Sequence, residues 1–187
     1  MKAWGIQPEL LRQNMKKIII GLAFCVLLLR PATADSQNPI FGESLNQVGI
    51  YGGMRIGSDN TSEHYNGFAM LQYSQPARLF RLDGRLNVQA GYVNSKTYPW
   101  FVGGVSLDLI PFAWRGFWTG IGFGGFIRNE PSQRVDSRFT FGERVFIGRH
   151  ISDRISMELF YQHFSNGDLT QRNLGYDFVG ISANLNF

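Results

Sequence analysis

Val179-Gly180-Ile181-Ser182-Ala183-Asn184-Leu185-Asn186-Phe187 closes the chain. Successive side chains of a strand point to opposite faces. Val179, Ile181, Ala183, Leu185 and Phe187 therefore share one face, and Gly180, Ser182, Asn184 and Asn186 share the other. The same division recurs upstream. Over 101–110, Phe101, Val105, Leu107 and Leu109 oppose Gly104, Ser106 and Asp108. Over 85–93, Leu86, Val88, Ala90 and Tyr92 alternate with Asn87, Gln89 and Gly91. The pattern extends, less cleanly, over 46–56, 64–73, 117–127, 139–149 and 155–165. Counting the last strand, eight strands of about ten residues follow.

One apolar and one polar or glycine face, repeated eight times, fits either a soluble barrel with an apolar interior or an outer-membrane barrel with an apolar exterior. Three features favour the membrane. Aromatics cluster near expected strand ends (Tyr98, Trp100, Phe112, Trp114, Trp118), as interfacial girdles do. The final alternating strand ends on Phe187, and no long helical pattern is present to close a soluble core. A closed barrel pairs every backbone group, as lipid requires. The expected fold is an all-β, eight-stranded, antiparallel up-and-down transmembrane barrel. Its outward loops fall at 57–63, 94–99, 128–138 and 166–176, and its inward turns near 74–84, 111–116 and 150–154. The connection at 74–84 reads as long for an inward turn. Eight strands enclose too little space for a pore.

The start of the chain has a different character. Lys16 and Lys17 precede an apolar run from Ile18 to Leu29, followed by Arg30, Pro31 and Ala32-Thr33-Ala34. A basic start, a short apolar core and an A-x-A site predict a secretory signal peptide over 1–34, cleaved after Ala34. Residues 1–14 read as an upstream extension, with Met15 as the initiator. Residues 35–187 then form one outer-membrane barrel domain. The formal charge of +4 belongs to the leader. Setting aside its five basic residues and Glu9 leaves 13 of each sign, so the charge gives no sign of a nucleic-acid partner. Cys25, the sole cysteine, lies in the leader, so the mature domain has neither disulfide nor thiol nucleophile.

The segment that carries chemistry is Tyr161-Gln162-His163-Phe164-Ser165-Asn166-Gly167. Ile155, Met157, Leu159, Tyr161, His163 and Ser165 share its more apolar face, which in a membrane barrel faces lipid. His163 and Ser165 project on that side about 6–7 Å apart along the strand. A serine needs a base to take its proton, and histidine serves near neutral pH. The histidine in turn needs an acid to hold its tautomer. Two acids share the outward face on neighbouring strands: Asp177, in phase with Val179 and Ile181, and Glu143, in phase with Phe141 and Val145. Asn166, Gly167 and Asn173 lie where they could help stabilise an oxyanion. On spacing alone, a His-x-Ser pair on a strand is more often structural or interfacial. His64 and His150 read as surface residues. No metal cluster or phosphate-cradling loop is apparent, so no cofactor is expected.

The run His163-Phe164-Ser165-Asn166-Gly167, followed by Asn173-Leu174-Gly175, resembles the His-x-Ser-Asn and Asn-x-Gly pattern of the PagL-type lipid A 3-O-deacylases. Phe141-Gly142-Glu143-Arg144 resembles that family's Phe-x-acid-Arg segment. The motifs cover roughly 141–177. The resemblance implies an eight-stranded outer-membrane barrel with a serine-histidine-acid triad on its lipid-facing surface. Ser165 would be the nucleophile, His163 the base and Asp177 the acid. Asn173 would match a functionally important asparagine, and Phe141 and Glu143 positions that support the site. The chain departs from a member of that family in carrying Asp177 where that member has Glu, and Glu143 where it has Asp. The shorter Asp177 puts its reach to His163 in question, and Glu143 stands as the second candidate.

The expectation is a serine esterase of the bacterial outer membrane that hydrolyses the ester-linked acyl chain at the 3-position of lipid A. Arg128, Arg134, Arg138 and Arg172, near the outward loops, are candidates to meet lipid A phosphates. Lipopolysaccharide is the expected partner. The oligomeric state is open, a homodimer included. The rival readings are a non-enzymatic structural or adhesion barrel, and another lipid acyl hydrolase or acyltransferase using the same serine.

Overall fold

A computed structural model of the chain describes residues 30–31, 38–42, 44, 46–57, 65–95 and 99–187. Almost all of the expected leader, with His64 and Tyr98, lies outside these residues. The elements are β1 (Arg30–Pro31), β2 (Gln47–Arg55), β3 (Tyr65–Leu79), β4 (Leu82–Ser95), β5 (Trp100–Trp114), β6 (Phe117–Arg128), β7 (Phe139–His150), β8 (Ile155–Ser165) and β9 (Tyr176–Asn186). Each of β2 to β9 pairs antiparallel with its sequence neighbours, and β2 also pairs with β9, which closes an eight-stranded barrel. Beyond the β2–β9 pairing, Asn46 and Phe187 exchange backbone hydrogen bonds of 3.1 and 2.9 Å at the seam. The two-residue β1 lies against Ala77 and Arg78 on β3.

The alternation read from the sequence is the alternation of exposure on most strands, but not along β5, where 106–110 is buried throughout and Leu107 and Leu109, expected on the outward face, are buried with Ala77 and Leu79. Ile50, Leu71, Val88, Val105, Ile121, Val145, Leu159 and Ile181 are exposed on the outer wall. In water such a belt would be costly, whereas in lipid it is the outward band of a membrane barrel. The interior is layered. Its half nearer the short turns holds a charged cluster. Arg85 Nε meets Asp108 Oδ2 at 2.7 Å, and Arg85 Nη2 meets Glu158 Oε2 at 2.7 Å. Arg144 also pairs with Asp108, and Trp118 Nε1 donates to Glu158 Oε1 at 3.2 Å. Two cations and two anions balance there, as buried charges must. The half nearer the long loops is aromatic, with Tyr51, Tyr65, Phe68, Phe126, Phe160, Phe164, Tyr176 and Phe178 buried and meeting mostly edge to face. Inward glycines make room for these rings: a Cβ on Gly120 would collide with Phe146, and one on Gly148 with Trp118.

Three further expectations are corrected. Trp100 and Trp118 are 2% and 0% exposed, so they fill the lumen rather than a girdle, while Phe112 and Trp114 do lie on the outer wall. Each buried indole is held by a charged partner, Arg128 over Trp100 and Glu158 at Trp118, which hydropathy alone does not show. The polar run 74–84 is not a long turn, because β3 continues to Leu79 and β4 begins at Leu82. Its charges serve the hairpin, with Arg78 Nε 3.2 Å from Asp83 Oδ1 across the ladder. His150 is half-buried, with Nε2 2.8 Å from the Pro39 carbonyl and its ring against Trp118. At the same end, Arg115 and Gly116 both take positive φ, 48° and 80°, as the two central residues of a tight hairpin turn.

Candidate active site

The β7–β8–β9 ladder sets the site. In register, Glu143, His163 and Asp177 stand side by side on three adjacent strands, and Phe141 stands across from Ser165. All project outward, since the alternate residues Gly142, Arg144, Gln162, Phe164 and Phe178 are buried inside. Directly opposed residues of an antiparallel pair lie about 4.5–5.5 Å apart, close enough for short polar side chains to meet.

Of the two acids, it is Asp177 that engages the histidine. His163 Nδ1 lies 2.7 Å from Asp177 Oδ1, with the two side chains 28% and 33% exposed. A carboxylate at Nδ1 fixes the proton there and leaves Nε2 as the acceptor. Glu143 is exposed on the far side of His163, and no hydrogen bond joins the two among the described residues. The shorter aspartate reaches because the ladder places it directly opposite, without need of the extra methylene. Ser165 shares the outward face, two residues from His163 at the end of β8, and is 9% exposed. No hydrogen bond links its hydroxyl to His163 among the described residues. In enzymes that pair a nucleophile with a base, that bond is often long without substrate and tightens when it binds.

The loop 166–175 frames this pair. Asn166 is fully buried and organises the loop. Its amide N–H donates to Asn173 Oδ1 at 2.8 Å, its Nδ2 donates to the Arg172 carbonyl at 3.0 Å and to Thr170, and its Oδ1 accepts from the Asp168 amide at 3.0 Å. Asn173 Nδ2 donates to Asp168 Oδ1 at 2.9 Å. Asn166 and Asn173 therefore hold the turn through each other, while Gly167, with φ of 60°, sits under the Phe141 ring. Phe141 in turn meets Phe139 edge to face at 5.0 Å.

Three further residues belong to the site, which the sequence reading placed only in other terms: Gly175 within the Asn-x-Gly pattern, Tyr161 on the outward face of its strand, and Arg134 as a phosphate candidate. Gly175 takes φ of 64°, and a Cβ there would lie 2.6 Å from His163 Cε1, so the imidazole rests on this glycine. Arg134, from the loop 129–138, donates from Nε to the Gly175 carbonyl at 2.9 Å and stacks on Tyr65. It ties the two outer loops together with the Val135–Asn173 bridge. Tyr161 donates its hydroxyl to Asp177 Oδ1 at 2.5 Å. Its outward parity with His163 was a usable signal; for Arg134 there was none, because the clasp it makes joins loops far apart in sequence. The same contacts correct the arginine expectation. Arg128 and Arg134 are 1% and 7% exposed and are turned into the protein, where Arg128 donates to the Val135 and Ser137 carbonyls. Arg138 and Arg172 remain exposed.

Among the described residues, no three His, Cys, Asp or Glu side chains are grouped as a metal ion would need. A hydroxyl, an imidazole backed by a carboxylate, and a glycine turn beside them are the elements of nucleophilic acyl transfer.

Comparison with known proteins gives a family and a fold. The family model described as "Lipid A 3-O-deacylase (PagL)" matches residues 67–186. The crystal structure of the outer membrane enzyme PagL superposes with a TM-score of 0.56 at 17% identity, covering 75% of this chain and 99% of that one. Neisserial surface protein A superposes with a TM-score of 0.51 at 10% identity, covering 76% of this chain and 97% of that one. At such identities these two likenesses show the barrel fold and nothing finer. No curated protein matches the sequence.

Proposed function

Because the chain belongs to the PagL family of lipid A 3-O-deacylases, we propose that it hydrolyses the ester at the 3-position of lipid A with Ser165, His163 and Asp177. The observation that carries this reading is the 2.7 Å contact between His163 Nδ1 and Asp177 Oδ1, on the same outward face as Ser165. A lumenal site would be sealed by the buried aromatics. An outward site at the long-loop end meets a substrate lying in the outer leaflet.

His163 Nε2 takes the Ser165 proton as Oγ attacks the ester carbonyl, and Asp177 stabilises the imidazolium that forms. The negative charge on the carbonyl oxygen falls near the turn after Ser165. There the Gly167 amide is the donor we assign to it, with Asn166 and Asn173 holding the turn in shape. Collapse of the tetrahedral intermediate expels the sugar alkoxide, which takes the proton from His163. Water then attacks the acyl-serine with His163 again as base, freeing a 3-hydroxy fatty acid and restoring Ser165. Phe141 walls the site beside Ser165, and Glu143 flanks His163. Arg138 and Arg172 are the outward cations for lipid A phosphates. Export by the leader 1–34, with cleavage after Ala34, places the barrel in the outer membrane. β1 then departs with the leader, and β2 to β9 close without it.

The test is direct. Purified protein in detergent is mixed with lipid A, and released 3-hydroxy fatty acid is measured. The wild type releases it, and Ser165→Ala and His163→Ala do not. Release by Ser165→Ala equal to wild type would refute the proposed nucleophile.

A further inference from the structure

Tyr161 precedes His163 by two residues on β8 and shares its outward face. The ladder sets Tyr161 across from Val179 and His163 across from Asp177, so the phenol reaches diagonally along β9 to the carboxylate. Its hydroxyl donates to Asp177 Oδ1 at 2.5 Å, the same oxygen that lies 2.7 Å from His163 Nδ1. We propose that Tyr161 is a positioning residue for the catalytic histidine: its hydroxyl pins the Asp177 carboxylate in the orientation that holds the imidazole. The proposal rests on the Ser165–His163–Asp177 reading above.

The physical need is specific to this face. A carboxylate turns readily about its last bond, because that torsion has broad wells. On a surface meant for lipid there is little water to satisfy it, so protein donors must. His163 supplies one donor, and it is the group to be positioned. A second donor from a rigid ring fixes the oxygen against which the imidazole is held. Tyr161 suits the place, because its ring is exposed among lipid-facing neighbours while its hydroxyl reaches the polar pair. Asp177 is held from the backbone as well, its amide donating to the Tyr65 hydroxyl at 3.3 Å. The short aspartate thus has its main chain and its side chain fixed by two tyrosines. Tyr161 lies four positions from Ser165 along β8 and no hydrogen bond joins the two among the described residues, so its action is assigned through Asp177.

The experiment compares wild type, Tyr161→Phe and Ser165→Ala in detergent, with folding of each confirmed by heat-modifiable migration. Tyr161→Phe keeps the ring and removes only the donor. Partners that orient metal-bound histidines are worth about 10–100-fold, and a loss at the lower end of that range is expected for a histidine held by a carboxylate alone. We expect a kcat for fatty-acid release at least tenfold lower, with KM changed less than twofold. In protein labelled with 15N-histidine, the Nδ1 proton resonance of His163, identified by its absence in His163→Ala, should shift or broaden in Tyr161→Phe. Unchanged kcat together with an unchanged Nδ1 resonance would overturn the proposal. If wild type releases no fatty acid, the deacylase reading fails, and the histidine resonance alone then decides whether Tyr161 positions the pair.

Discussion

Asp177 stands directly across the β8–β9 ladder from His163, and its Oδ1 lies 2.7 Å from the imidazole Nδ1. Glu143 is as close in register on the opposite strand, yet makes no hydrogen bond to the ring among the described residues. Substitution should separate them. Asp177→Asn is expected to lower kcat about 10³-fold or more, as loss of the acid does in such triads. Glu143→Gln should stay within about tenfold of wild type, less than the 10²-fold floor of a lost acid–base partner. Steady-state fatty-acid release measures both, and the reverse ranking would move the acid to β7.

Gly175 is predicted to be intolerant of even one methyl. Its φ of 64° disfavours any Cβ, and the Cβ would lie 2.6 Å from His163 Cε1. Gly175→Ala should cost about 1 kcal/mol or more in stability. It should also cut activity strongly by displacing the imidazole. A folded, heat-modifiable Gly175→Ala protein with full activity would show that the ring does not rest there.

Arg134 offers a test of loop coupling. Its Nε holds the Gly175 carbonyl at 2.9 Å from a different loop, so Arg134→Ala frees the backbone on which His163 leans. Hydrogen exchange should speed up over 166–175, and kcat should fall, with the strands β2 to β9 protected as before. Arg138→Ala lacks any such contact with Gly175 and should leave that exchange unchanged. Its effect, if Arg138 meets lipid A phosphate, is a raised KM.

The lumenal charges serve stability. Arg85 is fully buried and bonds Asp108, Glu158 and Gln47 at 2.7, 2.7 and 2.9 Å. Arg85→Ala leaves two carboxylates with one cation, and removing one partner of a buried pair costs about 3–5 kcal/mol. Urea unfolding in detergent should show that loss. The accompanying change in kcat, among molecules that remain folded, should be small, because the cluster lies in the half of the barrel away from Ser165.

The barrel was legible because a membrane wall forces every strand to alternate, and Val179 to Phe187 states that rule in nine residues. Its failures have physical causes. Trp100 and Trp118 read as girdle residues because hydropathy cannot see the Arg128 and Glu158 that receive them inside. The run 74–84 read as a loop because Arg78, Arg81 and Asp83 are charged, although a strand that projects past the apolar band keeps its ladder with charged side chains. At the site, the parity of His163, Ser165, Asp177 and Glu143 could be read from the spacing. The choice between the two acids could not, because it depends on a side-chain contact within one register. Nor could the clasp of Arg134 on Gly175, which joins loops 41 residues apart.

The most direct test of the central claim is the lipid A mass spectrum of a Gram-negative host that retains the 3-position acyl groups. The host expresses wild type or Ser165→Ala at equal outer-membrane levels. The account predicts that wild type alone lowers the mass by one 3-hydroxyacyl group, lost from the 3-position. An unchanged spectrum with wild type folded in the outer membrane, or the same loss with Ser165→Ala, would contradict it.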